Sequence, residues 1–468
     1  MRFKLFVCLF TMLVVVAKAQ QMPNVIFILA DDLGYGDLGC YGQTKIATPH
    51  IDKLAADGMR FTQFYAGTSV CAPSRASLMT GYHTGKTAIR GNHEIGEEGQ
   101  FPLPDSAYTM PEMFKDAGYI TGVFGKWGLG YPGSEGDPTR QGADQFYGYN
   151  CQRQSHNFFP GHLWSNTKRI ALKNTPHNQT EYAPQLIQKQ AIRFIETNKA
   201  NPFFVYLAYT LPHAALQLPA DDQAFEYYKR KFKEDSRNIP TSWNGKGYQP
   251  QAYPRAAYAA MVTKLDNYVG EIVNKLKALG LEKNTLIVFT SDNGPHAEGG
   301  NEPEFFNSSG QFRGIKRSLS EGGIRVSTIA TWPGTIRPGQ TSNHIGAFWD
   351  FLPTFAELAG INLQNRTDGI SILPTLLNKP KQTKHKFLYW EFHEDGGRQA
   401  VRIGNWKGIR EQVLQNPNGP IELYDLSKDP GEKDDLAKTN PKIVKRIEKV
   451  MLEQHTENEH FPFLKRNR

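Results

Sequence analysis

The chain has 468 residues, 39% of them hydrophobic and 12% aromatic, and a formal net charge of +8. That is enough apolar material for a large core, read as one big domain plus a smaller one. There is no basic, aromatic-interleaved tract of the kind that binds nucleic acid, no internal repeat, and beyond the first residues no apolar stretch long enough to cross a bilayer.

Residues 1–19 read as an export signal. Arg2 and Lys4 give a basic start, Leu5 to Ala17 an apolar run of about 13 residues, and Ala17-Lys18-Ala19 a small-residue cleavage site. The expected location is therefore periplasmic or secreted, with no transmembrane segment in the mature chain. Cys8 would leave with the signal, and Cys40, Cys71 and Cys151 would remain. An odd number in an oxidising compartment leaves at least one cysteine unpaired or modified. Cys71 is the candidate, and the spacing of Cys40 and Cys151 leaves their pairing open.

Pro23 to Ala30 is a continuous apolar run, the pattern of a strand buried on both faces of a parallel sheet. It ends in Asp31-Asp32-Leu33-Gly34-Tyr35-Gly36. Adjacent carboxylates at the end of a buried strand are costly unless a cation neutralises them. An Asx turn or helix cap explains one aspartate well and two less well. Ligands of open α/β sheets collect at the carboxyl ends of strands, and hard oxygen donors favour Ca²⁺ or Mg²⁺ over Zn²⁺. From Ser69 to Gly81 the chain sets Cys71 four residues before Arg75. Thr68 or Ser69 is expected to cap a helix here, with Pro73 in its first turn. Such a helix start offers N–H groups to an anion, and Arg75 adds a planar fork for a tetrahedral oxyanion. Taken alone, Cys71 reads as well as a small buried hydrophobe.

A helix predicted over Met110 to Gly118 leads into a strand at Tyr119 to Phe124, then Gly125-Lys126-Trp127-Gly128-Leu129-Gly130. The Gly/Asn/aromatic loop Gly148 to Pro160 carries Arg153 and His156, candidate contacts in a pocket wall. Thr180 to Lys199 has helical periodicity with Thr180 as its cap. Pro202 to Thr210 is a third buried strand, and Leu211-Pro212 fixes His213 just past its end. Ala214 to Pro254 is expected to be one long loop on the substrate side. The stripe from Tyr258 to Leu279 predicts a core helix closed by Gly280. Leu286 to Thr290 repeats the pattern of the first strand and runs into Ser291-Asp292-Asn293-Gly294. Two strands delivering oxygen ligands at one sheet end would make a four-ligand site. After a helix over Phe351 to Ala359, short strands at 387–392, 399–403, 406–409 and 422–426 and the helix Pro441 to Gln454 predict a small antiparallel sheet with one helix.

Cys71-Ala72-Pro73-Ser74-Arg75 followed by Ala76-Ser77-Leu78-Met79-Thr80-Gly81 resembles the signature of the formylglycine-dependent sulfatases. In that family the cysteine is oxidised to an aldehyde by a formylglycine-generating enzyme, and the hydrated aldehyde is the nucleophile. The resemblance runs from Pro23 to near the C-terminus. It implies the alkaline-phosphatase-like α/β fold: a large, mostly parallel central sheet sandwiched by helices (residues 20–380), then a small C-terminal antiparallel sheet with one helix (381–468). It implies Ca²⁺, or less readily Mg²⁺, bound by Asp31, Asp32, Asp292, Asn293 and the residue made from Cys71. Arg75, Lys126, His213 and the Lys316 of Phe312-Arg313-Gly314-Ile315-Lys316 fall in the implied sulfate pocket. One departure stands out. Where the family has Gly-Lys-Trp-His-Leu-Gly, this chain has Gly128 for the histidine held to touch the formylglycine hydroxyl and help expel sulfate. His156 is the candidate replacement. Arg325, after Glu321-Gly322-Gly323-Ile324, reads equally well as a structural partner of Glu321. The implied activity is hydrolysis of sulfate esters, expected on sulfated carbohydrates of galactose 4-sulfate type, with His393 in the run Trp390 to Glu394 as a further sugar contact. Two alternatives stand beside it: a phosphonate or phosphate monoester hydrolase of the same superfamily, and a sulfated-glycan binding protein without turnover.

Overall fold

The computed structural model of the protein describes residues 22–96, 98–240, 247–364 and 366–463; the expected export signal lies outside them. A ten-stranded sheet is built from β1 (Asn24–Ala30), β2 (Met59–Phe61), β3 (Ile120–Lys126), β4 (Gln145–Tyr149), β5 (His162–Ser165), β6 (Lys168–Ala171), β7 (Phe203–Ala208), β8 (Thr285–Ser291), β9 (Thr328–Thr331) and β10 (Gln340–Ser342). Its spatial order is β10-β2-β9-β8-β1-β7-β3-β4-β5-β6. The centre, β8-β1-β7-β3-β4, is parallel throughout. The antiparallel pairs lie toward the two margins.

The continuous apolar runs follow from burial on both faces. Val25, Phe27 and Leu29 pack with Phe204 and Tyr206 against the helices α1 (Cys71–Thr80), α2 (Met110–Asp116) and Phe351–Ala359. Ile26 and Ile28 pack with Val205 and Leu207 against the helices Ala183–Thr197 and Pro254–Ala278. Successive side chains point to opposite faces, so covering both faces removes polar alternation. Gly125 has a φ of 109°, and a Cβ there would lie 1.9 Å from the Ala208 carbonyl oxygen. Only glycine lets β3 run against β7 up to Lys126.

The C-terminal sheet, β11 (Leu388–Phe392), β12 (Arg398–Ile403), β13 (Trp406–Glu411) and β14 (Ile421–Asp425), is antiparallel in chain order. One face carries the helix Pro441–Gln454 through Tyr389, Val401, Leu423, Ile447 and Met451. Trp390, Phe392, Ala400 and Ile409 pack against Tyr65, Val70 and Trp349 of the large sheet's layer. A buried ionic cluster joins the two layers: Lys407 Nζ lies 2.9 Å from Glu321 Oε1 and 3.0 Å from Glu432 Oε1. Arg325 takes the structural role, 3.0 Å from Glu321 Oε2.

Three local expectations are corrected. Neither Thr68 nor Ser69 caps α1; extended Val70 precedes Cys71, Thr68 Oγ1 donates to the Glu391 carbonyl, and Asn92 Oδ1 accepts from the Ala72 amide. The helix expected from Thr180 begins at Ala183, because Asn174 Oδ1 holds the Thr180 amide and Ala183-Pro184 suits a first turn. The segment read as one loop from Ala214 to Pro254 contains the helix Gln223–Phe232, capped by Asp222 accepting from the Phe225 amide at 3.0 Å. Only a short stripe, Phe225, Tyr228 and Phe232, packs on the core, and Tyr228 alone of it is fully buried. Cys40, Cys71 and Cys151 are all free thiols.

Candidate active site

Parallel pairing brings the chemistry-bearing residues to one edge. Asp31 and Asp32 follow β1, Asp292 and Asn293 follow β8, Lys126 ends β3, and His213 lies in the turn after β7. These are neighbouring strands, and the carboxyl ends of such strands are where open α/β sheets hold ligands. Cys71 opens α1 and presents Sγ 3.4 Å from Asp31 Oδ1. Asp32 holds a φ of 62°, an uncommon backbone for aspartate of the kind found at functional turns.

Three carboxylates and three cations face one another in pairs. Lys126 Nζ is 2.7 Å from Asp31 Oδ2, Lys316 Nζ is 2.8 Å from Asp32 Oδ2, and Arg75 sets Nε and Nη2 3.0 and 2.8 Å from Asp292 Oδ2. Arg75 Nη1 also donates to the Lys126 carbonyl at 2.5 Å. Asn293 Nδ2 donates to Asp32 Oδ1 at 2.7 Å, and the Asp32 amide donates to Asp292 Oδ1 at 3.1 Å. His213 donates from Nδ1 to the Ala214 carbonyl, so Nε2 faces the Lys316 ammonium at 3.1 Å and Asp32 Oδ2 at 3.3 Å. His156 stacks on His213 with ring centroids 4.7 Å apart.

Burial dominates the electrostatics. It would raise the Asp31 carboxyl, but Lys126, His213 and Arg75 hold it well below the usual range. Burial and the neighbouring Asp31 and Asp32 carboxylates push Asp292 up to about 7 despite Arg75. Burial, then the Asp31 carboxylate, pushes the Cys71 thiol well above its ordinary value. As a thiol it is the reverse of an activated cysteine nucleophile. Burial and Lys316 hold His213 neutral, while Asp32, Cys71 and Glu298 outweigh burial and raise Lys316.

The donor set suits a hard divalent cation. Ligand atoms of Asp31, Asp32, Cys71 and His213 lie within 4.8 Å of one another. Asn293 Oδ1, fully buried beside them, has no hydrogen-bond partner among the described residues. Carboxylate and amide oxygens of this kind fit Ca²⁺ or Mg²⁺.

Arg153 and His393 are not drawn into this cluster. Arg153 pairs with Glu94 at the rim. His393 bonds Glu391 at 2.8 Å and packs on Phe463, in a network with His455 that ties down the C-terminal helix's exit. The next residue is closer to the site: Glu394 accepts from the Asn92 amide, and Asn92 in turn caps Ala72. Sequence reasoning missed Glu298, 3.6 Å from Lys316 and paired with Arg317, and Tyr248, whose ring lies 5.1 Å from that of His156. His296, bonded to Glu298, follows Asp292-Asn293 closely enough to have been found; Tyr248 carried no signal.

The family model described as Sulfatase matches residues 23–361. The chain belongs to the sulfatase family. A second model, N-sulphoglucosamine sulphohydrolase, C-terminal, matches residues 310–458. N-acetylgalactosamine-6-sulfatase of Mus musculus is 33% identical over 411 residues, 84% of this chain and 72% of that one. Arylsulfatase A of Homo sapiens is 32% identical over 479 residues, 92% of this chain and 87% of that one. The crystal structure of Ps i-CgsB superposes with a TM-score of 0.80 at 29% identity, covering 96% of each chain. This sulfatase is thus a sulfuric ester hydrolase with an alkaline-phosphatase-like fold. Among its described residues no helix is long and apolar enough to cross a membrane.

Proposed function

We propose that this sulfatase hydrolyses sulfate esters of carbohydrates through a formylglycine made from Cys71. The observation that carries the reading is Cys71 at a helix start, against Asp31, ringed by Arg75, Lys126 and Lys316. Asp31, Asp32, Asp292 and Asn293, with the residue at 71, would hold Ca²⁺, or less readily Mg²⁺. When bound, the ion offsets the negative charge of the ester and of the attacking oxygen.

With those carboxylates holding an ion, Arg75, Lys126 and Lys316 would be free to face the anionic ester. One hydroxyl of the hydrated aldehyde attacks sulfur in line, the bond from sulfur to the sugar oxygen breaks, and that oxygen takes a proton. Lys316 is the donor, since it carries the proton on the His213–Lys316 pair and His213 Nε2 orients it. The second hydroxyl then loses its proton, the carbon–oxygen bond to sulfate breaks, and the aldehyde returns for water to hydrate. Cysteine or serine has no second hydroxyl for that exit.

A galactose-type sugar is the favoured substrate. Support comes from the relatives named for N-acetylgalactosamine 6-sulfate and from the Ps i-CgsB structure in complex with k-i-k-neocarrahexaose, 29% identical with a TM-score of 0.80. His156, Tyr248, Arg317 and Glu394 are the groups at hand to read sugar hydroxyls. Export through residues 1–19 and a formylglycine-generating partner belong to the same proposal. The test has two arms. The mass of the peptide containing residue 71 should show H₂S exchanged for an aldehyde oxygen. Sulfated galactose oligosaccharides should exceed an aryl sulfate in kcat/KM by roughly 10⁴-fold, as expected of a site built to bond hydroxyls. Equal turnover of the aryl sulfate overturns the carbohydrate reading, and an intact thiol in active protein overturns the nucleophile.

A further inference from the structure

Two side-chain amides beside Gly128 have no partners among the described residues. Asn150 is fully buried and Gln152 is 4% exposed. All four of their side-chain nitrogen and oxygen atoms lack a hydrogen bond among the described residues. Buried polar groups are almost always satisfied, and orphaned amides at a ligand site are the expected exception. Their backbones are firmly held. The Asn150 carbonyl accepts from the Gly128 amide at 2.9 Å, and the Gln152 carbonyl accepts from the Ser155 amide and hydroxyl.

Gln152 fills the space of a missing side chain. Gly128 has a φ of 74°, and a Cβ there would stand 2.2 Å from Gln152 Nε2. That spot lies two residues beyond Lys126, whose ammonium sits on Asp31, and Gln152 itself opens the turn that leads to His156, stacked on His213.

We infer that Gln152, supported by Asn150, supplies the reaction-centre contact that a side chain at position 128 would otherwise make, donating from Nε2 to an oxygen of the bound sulfate ester. The inference rests on the sulfate-ester reading above. An amide neither gains nor loses a proton near neutrality, so Gln152 orients and stabilises charge, and the proton leaving the second hydroxyl passes to His156, which stacks on His213 with ring centroids 4.7 Å apart. The two residues divide one histidine's work between a fixed donor and a separate base.

The test compares Gln152→Leu and Gln152→Ala with the parent enzyme, using one sulfated galactoside and inorganic sulfate as probes. Loss of one preorganised donor to a developing anion costs on the order of 10²-fold in kcat. Thermal stability should hold or rise in Gln152→Leu, since the lost atoms have no partners in the fold. Inorganic sulfate should stabilise the variant less than the parent. Gly128→His combined with Gln152→Gly should recover kcat over Gln152→Gly alone and add a new limb to the pH profile. A Gln152→Leu enzyme with kcat within twofold of the parent, or with activity and melting temperature falling together while sulfate stabilises it undiminished, overturns the inference. A parent that carries the aldehyde but releases no sulfate sinks the underlying reading instead.

Discussion

Replacing Lys407 with methionine should unsettle both the fold and the site. The Lys407 side chain is 0% exposed and bridges Glu321 and Glu432, themselves 0% exposed, at 2.9 and 3.0 Å. Methionine matches its length but leaves two buried carboxylates facing each other, Glu321 with Arg325 at 3.0 Å and Glu432 with Arg313 at 3.9 Å. Breaking a buried ion pair from one side costs about 3–5 kcal/mol. The pH dependence has a definite sign. Burial would raise the Glu321 carboxyl, but Lys407, Arg325 and Arg402 hold it at about 2, against an ordinary 4.5. A depressed carboxylate stabilises the fold above its unfolded value, here about 3 kcal/mol, and that contribution is lost as pH falls from 4.5 toward 2. Lys407→Met raises the folded value, so acid unfolding begins at higher pH. Because Glu321 anchors the turn that follows Lys316, sulfate release should decline along with stability. Urea unfolding followed by tryptophan fluorescence at pH 7 and pH 5, beside kcat, reads both effects. The double variant Lys407→Met/Glu432→Gln should regain at least about 1 kcal/mol. A single variant within about 1 kcal/mol of the parent at both pH values would refute the reasoning.

Cys71→Ser and Cys71→Ala should each lower turnover by at least ~10³-fold, measured as sulfate released under saturation. Asp31→Ala, or exhaustive chelation verified by elemental analysis, should abolish activity and lower the melting temperature, since the variant leaves the buried Lys126 ammonium without its partner and chelation removes an ion that would bind the folded state; full activity in metal-free protein would remove the ion from the mechanism. Arg75→Lys keeps the charge but gives up the two-pronged contact with Asp292 and the Lys126 carbonyl, so kcat/KM should fall roughly 10²-fold with little change in fold, read by kinetics beside circular dichroism.

The fold and the strand-end residues were readable because two-sided burial writes unbroken apolar runs, and the residues that end those runs are the ones the sheet delivers to one edge. The helix Pro441–Gln454 was legible to the residue for a similar reason: proline starts it and an apolar stripe fills one side. What failed were features decided by distant contacts. The start of α1 takes its cap from Asn92, twenty residues away, rather than from the serine beside it. The helix Gln223–Phe232 offers only a short stripe, Phe225, Tyr228 and Phe232, inside a polar segment. His393 looked like a sugar contact, yet a carboxylate two residues back claims its ring. Arg317, Tyr248 and Gln152 lie in turns whose position follows from the fold alone.

Every residue of α1, from Cys71 to Thr80, is buried, and Cys71 itself is 3% exposed. On the proposed mechanism, that burial gives the conversion of Cys71 a chronology. An enzyme that must grip the surrounding peptide cannot reach it once β1, β8 and the C-terminal sheet have closed over the segment. The proposed oxidation would then have to take place on an extended chain, before the fold closes. The speed of folding then sets the yield of active enzyme: a variant that closes faster would accumulate as a well-formed but inert thiol, and one that closes more slowly would mature more completely.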